Sequence, residues 1–312
     1  MKIAYKHVID LLKEKPTIDE LSDNLFQLGH EHEIENEIFD IEITPNRGDC
    51  LSLLGICRDL NCFYENEINL SLYDKEIQEL DLNFKNNDID TCPQISFLKV
   101  QINEEIKPYK QYLKKYFNDL EIKKNNFFTD ISNYLSYEIG QPTHCYDWSK
   151  MDGKFTFKEI NQDINFDSLL DTTVNLNGKN SVFMLNNEVI NLAGVMGGKS
   201  TKCSNNTKTV LIECAYFKPE NIIGKTIKYG LNSDAAYKFE RGVDPTNQIY
   251  ALKRFAKIIS DHCTIKSIEL FSKNYQNIVD IDIAYDLDKI NKILGTSISD
   301  DIFSNILLKL GF

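Results

Sequence analysis

From Val210 to Phe217 the chain reads VLIECAYF, an apolar run that would be buried were it not for the glutamate inside it. Taking a carboxylate out of water costs several kcal/mol, and glutamate is rarely buried without a partner. A fold built on this strand therefore has two options for Glu213. Either the residue lies on a wetted face, or it lines a cavity, accepting from a ligand hydroxyl or positioning a water. The residues alone leave both open. A second run, ISFLKVQI at 95–102, also reads as a strand, and helical stretches with Gly/Asn turns surround the two. The stretch from 75 to 272 is thus mixed α and β.

The flanks are simpler. Val8, Leu11 and Leu12, then Leu21, Leu25 and Leu28, have helical spacing, with Pro16 as the break and Gly29 as the stop. In EIFDIEIT, Phe39, Ile41 and Ile43 alternate with Asp40 and Glu42, the period of a half-buried strand. TPNRGDCLSLLGICRDL then runs from a turn into a helix, for which Asp49 is the expected N-cap. Near the other end, Asp244 and Pro245 are expected to open a helix carrying Leu252, Phe255, Ala256 and Ile259, and polar FSKNYQN reads as a linker. A shift of 282 positions lays Val8, Leu12, Leu21, Leu25 and Gly29 on Ile290, Leu294, Phe303, Leu307 and Gly311. Two helix pairs of one design explain the match. The expected fold class is α+β, with a central mixed α/β domain at 75–272 between small helix-pair domains at 1–72 and 278–312, the last cut short.

Composition narrows the class of function. No segment approaches the roughly 18 uncharged apolar residues of a membrane helix, and the charged start lacks the apolar core of a secretory signal. The eight cysteines are scattered with no CxxC pair, which reads as reduced thiols in a cytoplasm and not as disulfides or a metal site. The formal net charge of −12 argues against gripping a long RNA along its phosphates, where basic surface supplies the affinity. One short RNA end in a pocket is compatible with it.

Three further stretches carry candidate chemistry. In SNYLSYEIGQPTHCYD, a Gly-Gln-Pro turn sets out His144, with Ser132 and Asn133 just upstream. The histidine is a structural hydrogen-bonder or a group that orients water. In LAGVMGG, Ala193, Gly194 and Gly197 mark a tight turn or a close approach of backbone to a ligand; the spacing is not that of a phosphate loop. In GLNSDAAYKFERGVDP, Ser233 and Asp234 cap a short helix ending at Gly242, and small Ser233 and Ala235 could also floor a pocket.

In this order, EITPNRGDCLSLLGICRDL, GQPTHCYD, LAGVMGG, VLIECAYFKPENI and GLNSDAAYKFERGVDP resemble the signature segments of the beta subunit of bacterial-type phenylalanyl-tRNA synthetase. The resemblance spans nearly the whole chain. It implies an editing domain that hydrolyses tyrosine mischarged on phenylalanine tRNA, with His144 and Glu213 as its catalytic residues. His144, Ser132 and Asn133 match positions that hold the terminal adenosine and a water, and Glu213 matches the residue that recognises the tyrosine hydroxyl. Ala193, Gly194, Gly197, Ser233 and Ala235 match pocket walls. It further implies an alpha-subunit partner in a heterotetramer of two alpha and two beta chains, contact with the tRNA 3′ end, and no metal or cofactor on this chain. Aminoacylation, with its ATP and magnesium, would fall to the alpha subunit. The pattern departs from the family in Ser132 and Ser233, where threonine is usual, in Gly48 for proline, and in the short EHEIENEIF bridge where an OB-fold tRNA-binding domain is usually inserted. A non-catalytic scaffold and a stand-alone trans-editing hydrolase are the alternative readings.

Overall fold

The computed structural model describes residues 1–103, 105–277, 279 and 281–312, so the boundary expected at 278 lies outside the described residues. The architecture is mixed α and β, built on two five-stranded sheets. In the first, strand Thr209–Tyr216 lies between Gln94–Ile102 and the edge strand His144–Asp147, and Ile265–Asn274 and Gln78–Glu79 complete the other side. The second sheet runs Met196–Gly197, Glu188–Leu192, Lys179–Leu185, Phe155–Asn161 and Phe84–Asn86.

The period of two along Thr209–Tyr216 explains the layering. Val210, Ile212 and Cys214 pack toward Leu135, Phe255 and Ile259 of helices Phe127–Ile139 and Gln248–His262. Leu211 and Ala215 face the opposite way, into a core with Phe97, Phe155, Phe157 and Phe183 between the two sheets. Both faces of the strand are covered, which is why its sequence is apolar at nearly every position. The first core also takes in Ile3, Val8, Leu21, Phe39 and Ile56, so the opening segment packs against the same helices.

Helices Tyr5–Ile9 and Ile18–Gln27 form the opening pair, the second started by a Thr17–Glu20 capping box. Helices Leu287–Leu294 and Asp300–Leu310 form the closing pair, and each begins 282 positions after its counterpart. Three local expectations are corrected. Ser52, not Asp49, caps helix Leu53–Leu60, its hydroxyl accepting from the Gly55 N–H at 2.9 Å; Asp49 instead pairs with Arg47 and Arg58. Asp244 closes a turn by accepting from the Thr246 N–H at 2.7 Å, and the long helix starts only after Asn247. FSKNYQN is not wholly a linker: Phe271–Asn274 complete a strand paired with Gln94–Phe97.

Candidate functional site

The site is assembled where helix Phe127–Ile139 hands over to the edge strand. Gly140 ends the helix in the left-handed conformation (φ 78°), its N–H donating to the Ser136 carbonyl at 3.0 Å. The Gln141 side-chain amide donates to the Ala215 carbonyl at 3.2 Å and ties the turn to the neighbouring strand. Pro142 and Thr143 then lead into the edge strand, whose register sets His144 opposite Glu213.

Glu213 is buried, so the wetted-face option is overturned. One carboxyl oxygen, Oε2, accepts from the Tyr146 hydroxyl at 2.5 Å and from the Asn191 amide at 3.2 Å, and Asn191 also donates to the Tyr146 oxygen at 3.0 Å. Burial dominates its ionisation and pushes the carboxyl up to about 8, against the two hydrogen bonds that favour the charged form. Near neutrality this group is mostly protonated. The Tyr146 phenol is driven well above its usual value, first by burial and then by Glu213.

His144 packs edge-on against Tyr146, with ring centroids 4.5 Å apart. Its other side is covered by Gly197, where an added Cβ would sit 2.2 Å from the imidazole Cε1; this glycine is required by contact. The ring Nε2 is sealed from solvent and has no hydrogen-bond partner among the described residues. Burial brings the imidazole down to about 4, so it is neutral at physiological pH and Nε2 is an unfilled hydrogen-bonding position.

Beside this strand is a cleft of about 1100 Å³. Ser132, Asn133, His144, Gly197, Ser233 and Ala235 all line it, a set scattered over a hundred positions of sequence. Ser132 Oγ is hydrogen-bonded to the Thr143 carbonyl at 2.7 Å and to Thr143 Oγ1 at 2.8 Å, bracing the turn before His144. Ser233 caps helix Asp234–Arg241 and donates to the Val195 carbonyl at 2.6 Å, joining the helix wall to the glycine turn. Ala193, Gly194 and Glu213 do not line the cleft. Ala193 is buried, and a Cβ on Gly194 would meet Ile222 and Phe217 on the core side. Glu213 is one residue behind the wall: its strand partner is His144, and Asn191, which donates to it, pairs with Gly197.

Some residues at the site carry no sequence signal of their own. Tyr146 shares a strand face with His144, two positions away, a relation visible only once the strand is known. Asn191 was hidden in the apolar EVINLAG. Lys238 is buried in the cleft wall, where it donates to the Ser136 carbonyl and hydroxyl at 2.7 Å each and pairs with Asp234 at 2.9 Å. Desolvation lowers the Lys238 ammonium and Asp234 opposes that; the Asp234 carboxyl, which desolvation would raise, is held below its usual range chiefly by Lys238 and by the Ser136 hydroxyl.

His30, Cys50 and Asp59 are grouped closely enough to resemble a metal site. Arg47 donates to Asp59 at 2.6 Å and to the Cys50 sulfur at 2.7 Å, and Arg58 donates to Asp59 at 3.0 Å. Two guanidinium groups already neutralise the cluster, which does not suit a cation. Among the described residues no helix is long and apolar enough to cross a membrane.

A family model described as the B3/4 domain matches residues 91–264, more than half of the chain. The chain belongs to the B3/4-domain family. Its B3/4 region takes in strands Gln94–Ile102, His144–Asp147 and Thr209–Tyr216 of the first sheet, all of the second sheet but Phe84–Asn86, and most of the cleft lining. Curated relatives point the same way as the five motifs. The chain is 28% identical over 312 residues to the phenylalanine–tRNA ligase beta subunit of Wolbachia sp. subsp. Brugia malayi, an alignment covering 94% of this chain and 39% of that protein. It is 30% identical over 310 residues to the same subunit of Ehrlichia ruminantium strain Gardel, covering 94% and 38%. The chain therefore spans less than two-fifths of these relatives' length. A solved N-terminal fragment of the phenylalanyl-tRNA synthetase beta subunit from Pyrococcus horikoshii aligns over 99% of this chain and 88% of its own, at 13% identity and a TM-score of 0.46.

Proposed function

We propose that this B3/4-family protein acts as a beta-subunit-type component of phenylalanine–tRNA ligase and hydrolyses the ester of tyrosine mischarged on phenylalanine tRNA. The observation that carries this reading is the pairing of Glu213 with His144 across two strands beside the cleft, with a protonatable carboxyl in apolar surroundings. Tyrosine exceeds phenylalanine by one hydroxyl. A buried polar group that meets that hydroxyl discriminates strongly, because the analogue lacking it leaves the group unpaired.

Recognition is assigned to Glu213, and water orientation to the unpartnered Nε2 of neutral His144. Ser132, Asn133, Gly197, Ser233 and Ala235 would shape the bed for the terminal nucleoside and the aminoacyl group. Ala193 and Gly194 support it from behind. For a tyrosyl ring to reach Glu213, the His144–Tyr146 layer in front of it has to yield. Lys2, Lys124 and Lys202 line the same cleft, giving local positive charge for a phosphodiester end in a chain of net charge −12. Aminoacylation, ATP and magnesium are assigned to an alpha subunit in a cytoplasmic holoenzyme, and no step here passes through them.

The test is release of tyrosine from tyrosyl-tRNA by the wild-type chain and by His144→Ala. Turnover by the wild type that falls at least about 10-fold in the variant supports the reading. No turnover, alongside firm binding to an alpha subunit, replaces it with the scaffold reading.

A further inference from the structure

We propose that Tyr146 sets the selectivity of this site by holding, with its own phenol, the carboxyl group that a substrate phenol would use. This inference rests on the recognition role assigned above to Glu213.

The ground is the geometry behind the cleft. Tyr146 is fully buried, and its hydroxyl meets Glu213 Oε2 at 2.5 Å while taking a hydrogen bond from Asn191 at 3.0 Å. The three groups close a triangle with no cation in it among the described residues. The carboxyl is thus already engaged by the chemical group it is proposed to detect. Exchanging the internal phenol for a ligand phenol keeps the carboxyl's hydrogen bond, so tyrosine can compete for it. A phenyl ring offers nothing in exchange.

Two consequences follow. Tyrosine must displace an internal competitor before it gains its extra hydrogen bond, so the wild-type preference for tyrosine over phenylalanine is smaller than the carboxyl alone would give. Movement of Tyr146 also reaches the candidate water-orienting residue, because its ring rests against His144 at a centroid distance of 4.5 Å. Removing the hydroxyl leaves Oε2 with Asn191 as its donor and frees one acceptor position for a ligand.

The experiment compares wild type, Tyr146→Phe, Glu213→Ala and the double variant, each checked for a cooperative thermal transition. Two readouts are taken: the tyrosyl-to-phenylalanyl ratio of kcat/KM for tRNA deacylation, and the affinities for L-tyrosinamide and L-phenylalaninamide. In Tyr146→Phe the ratio and the tyrosinamide affinity should each rise about 10-fold, the size expected when a buried acceptor loses its internal partner. Phenylalaninamide affinity should stay the same, and both gains should vanish in the double variant.

Selective hydrolysis by the wild type with an unchanged or lower ratio in Tyr146→Phe overturns this proposal and leaves the hydrolase reading standing. A gain in tyrosinamide affinity without hydrolysis by any variant upholds it and removes the hydrolase reading. Absence of both overturns both. Should Tyr146→Phe fail to fold, isotope-labelled wild type decides: the Tyr146 ring-carbon resonance must move with tyrosinamide and not with phenylalaninamide, and equal movement or none overturns the proposal.

Discussion

The two walls of the cleft hold their carboxyl groups by opposite means. Behind the sheet wall, Glu213 has among the described residues the neutral donors Tyr146 and Asn191, and burial pushes it up to about 8. On the helix wall, Asp234 opens into the cleft and Lys238 holds it below its usual range from 2.9 Å. A neutral carboxyl among apolar side chains is receptive to a hydroxyl; an ion pair with its own hydrogen bonds is spent on holding a helix in place. On the function proposed above, the apolar strand, and not the charged helix end, would tell one uncharged ring from another.

The largest expected effect tests that contrast through pH. The folded carboxyl of Glu213 titrates near 8 and the unfolded one near 4.5, so the folded state binds the extra proton and stability is lost as pH rises between those values. Urea unfolding should show a loss on the order of 4 kcal/mol over that window, absent in Glu213→Gln. Asp234 behaves in the opposite sense: its contribution is present above its unfolded value and lost on acidification. Equal pH profiles for wild type and Glu213→Gln would break the comparison.

Next in size is Lys238→Met. It strips the buried cation from Ser136 and leaves Asp234 unpaired, and because Asp234 is open to the cleft the loss should lie near 3 kcal/mol, the low end for a broken buried pair. Denaturant midpoints at constant m-value check it. The smallest effect is expected from Ser132→Ala, which removes the brace to Thr143 and should cost about 1 kcal/mol in the same assay. A larger loss from Ser132 than from Lys238 would reverse the ranking of the helix-wall contacts.

Much of the frame was legible in the sequence because its signals are local. The helix stops at Gly29 and Gly242, the strand alternation around Phe39 and Ile41, and the 282-residue offset between helix pairs are carried by neighbours in the chain. Burial was not. Val8, Leu21 and Leu25 are in the core, whereas Ile293, Leu294 and Leu308 of the matching pair are exposed, although the apolar spacing is similar. Phe271–Asn274 looked like linker because their pairing partner lies some 170 positions earlier. Ser52 outcompeted Asp49 as a cap because Arg47 and Arg58 claim the aspartate.

At the site, the glycine turn and the Gly-Gln-Pro turn marked themselves. The orientation of Glu213 did not, since a strand covered on both faces gives no periodic cue. Its partners Tyr146 and Asn191 come from two other strands, in two different sheets, and only the assembled layers bring them to one carboxyl.

The most direct test of the central claim is single-turnover deacylation of tyrosyl-tRNA and phenylalanyl-tRNA, measured side by side for wild type and Glu213→Ala. The account predicts that the wild type cleaves the tyrosyl ester at least about 10-fold faster and that the variant cleaves the two at similar rates. Equal rates in the wild type, or an unchanged preference in Glu213→Ala, would contradict it.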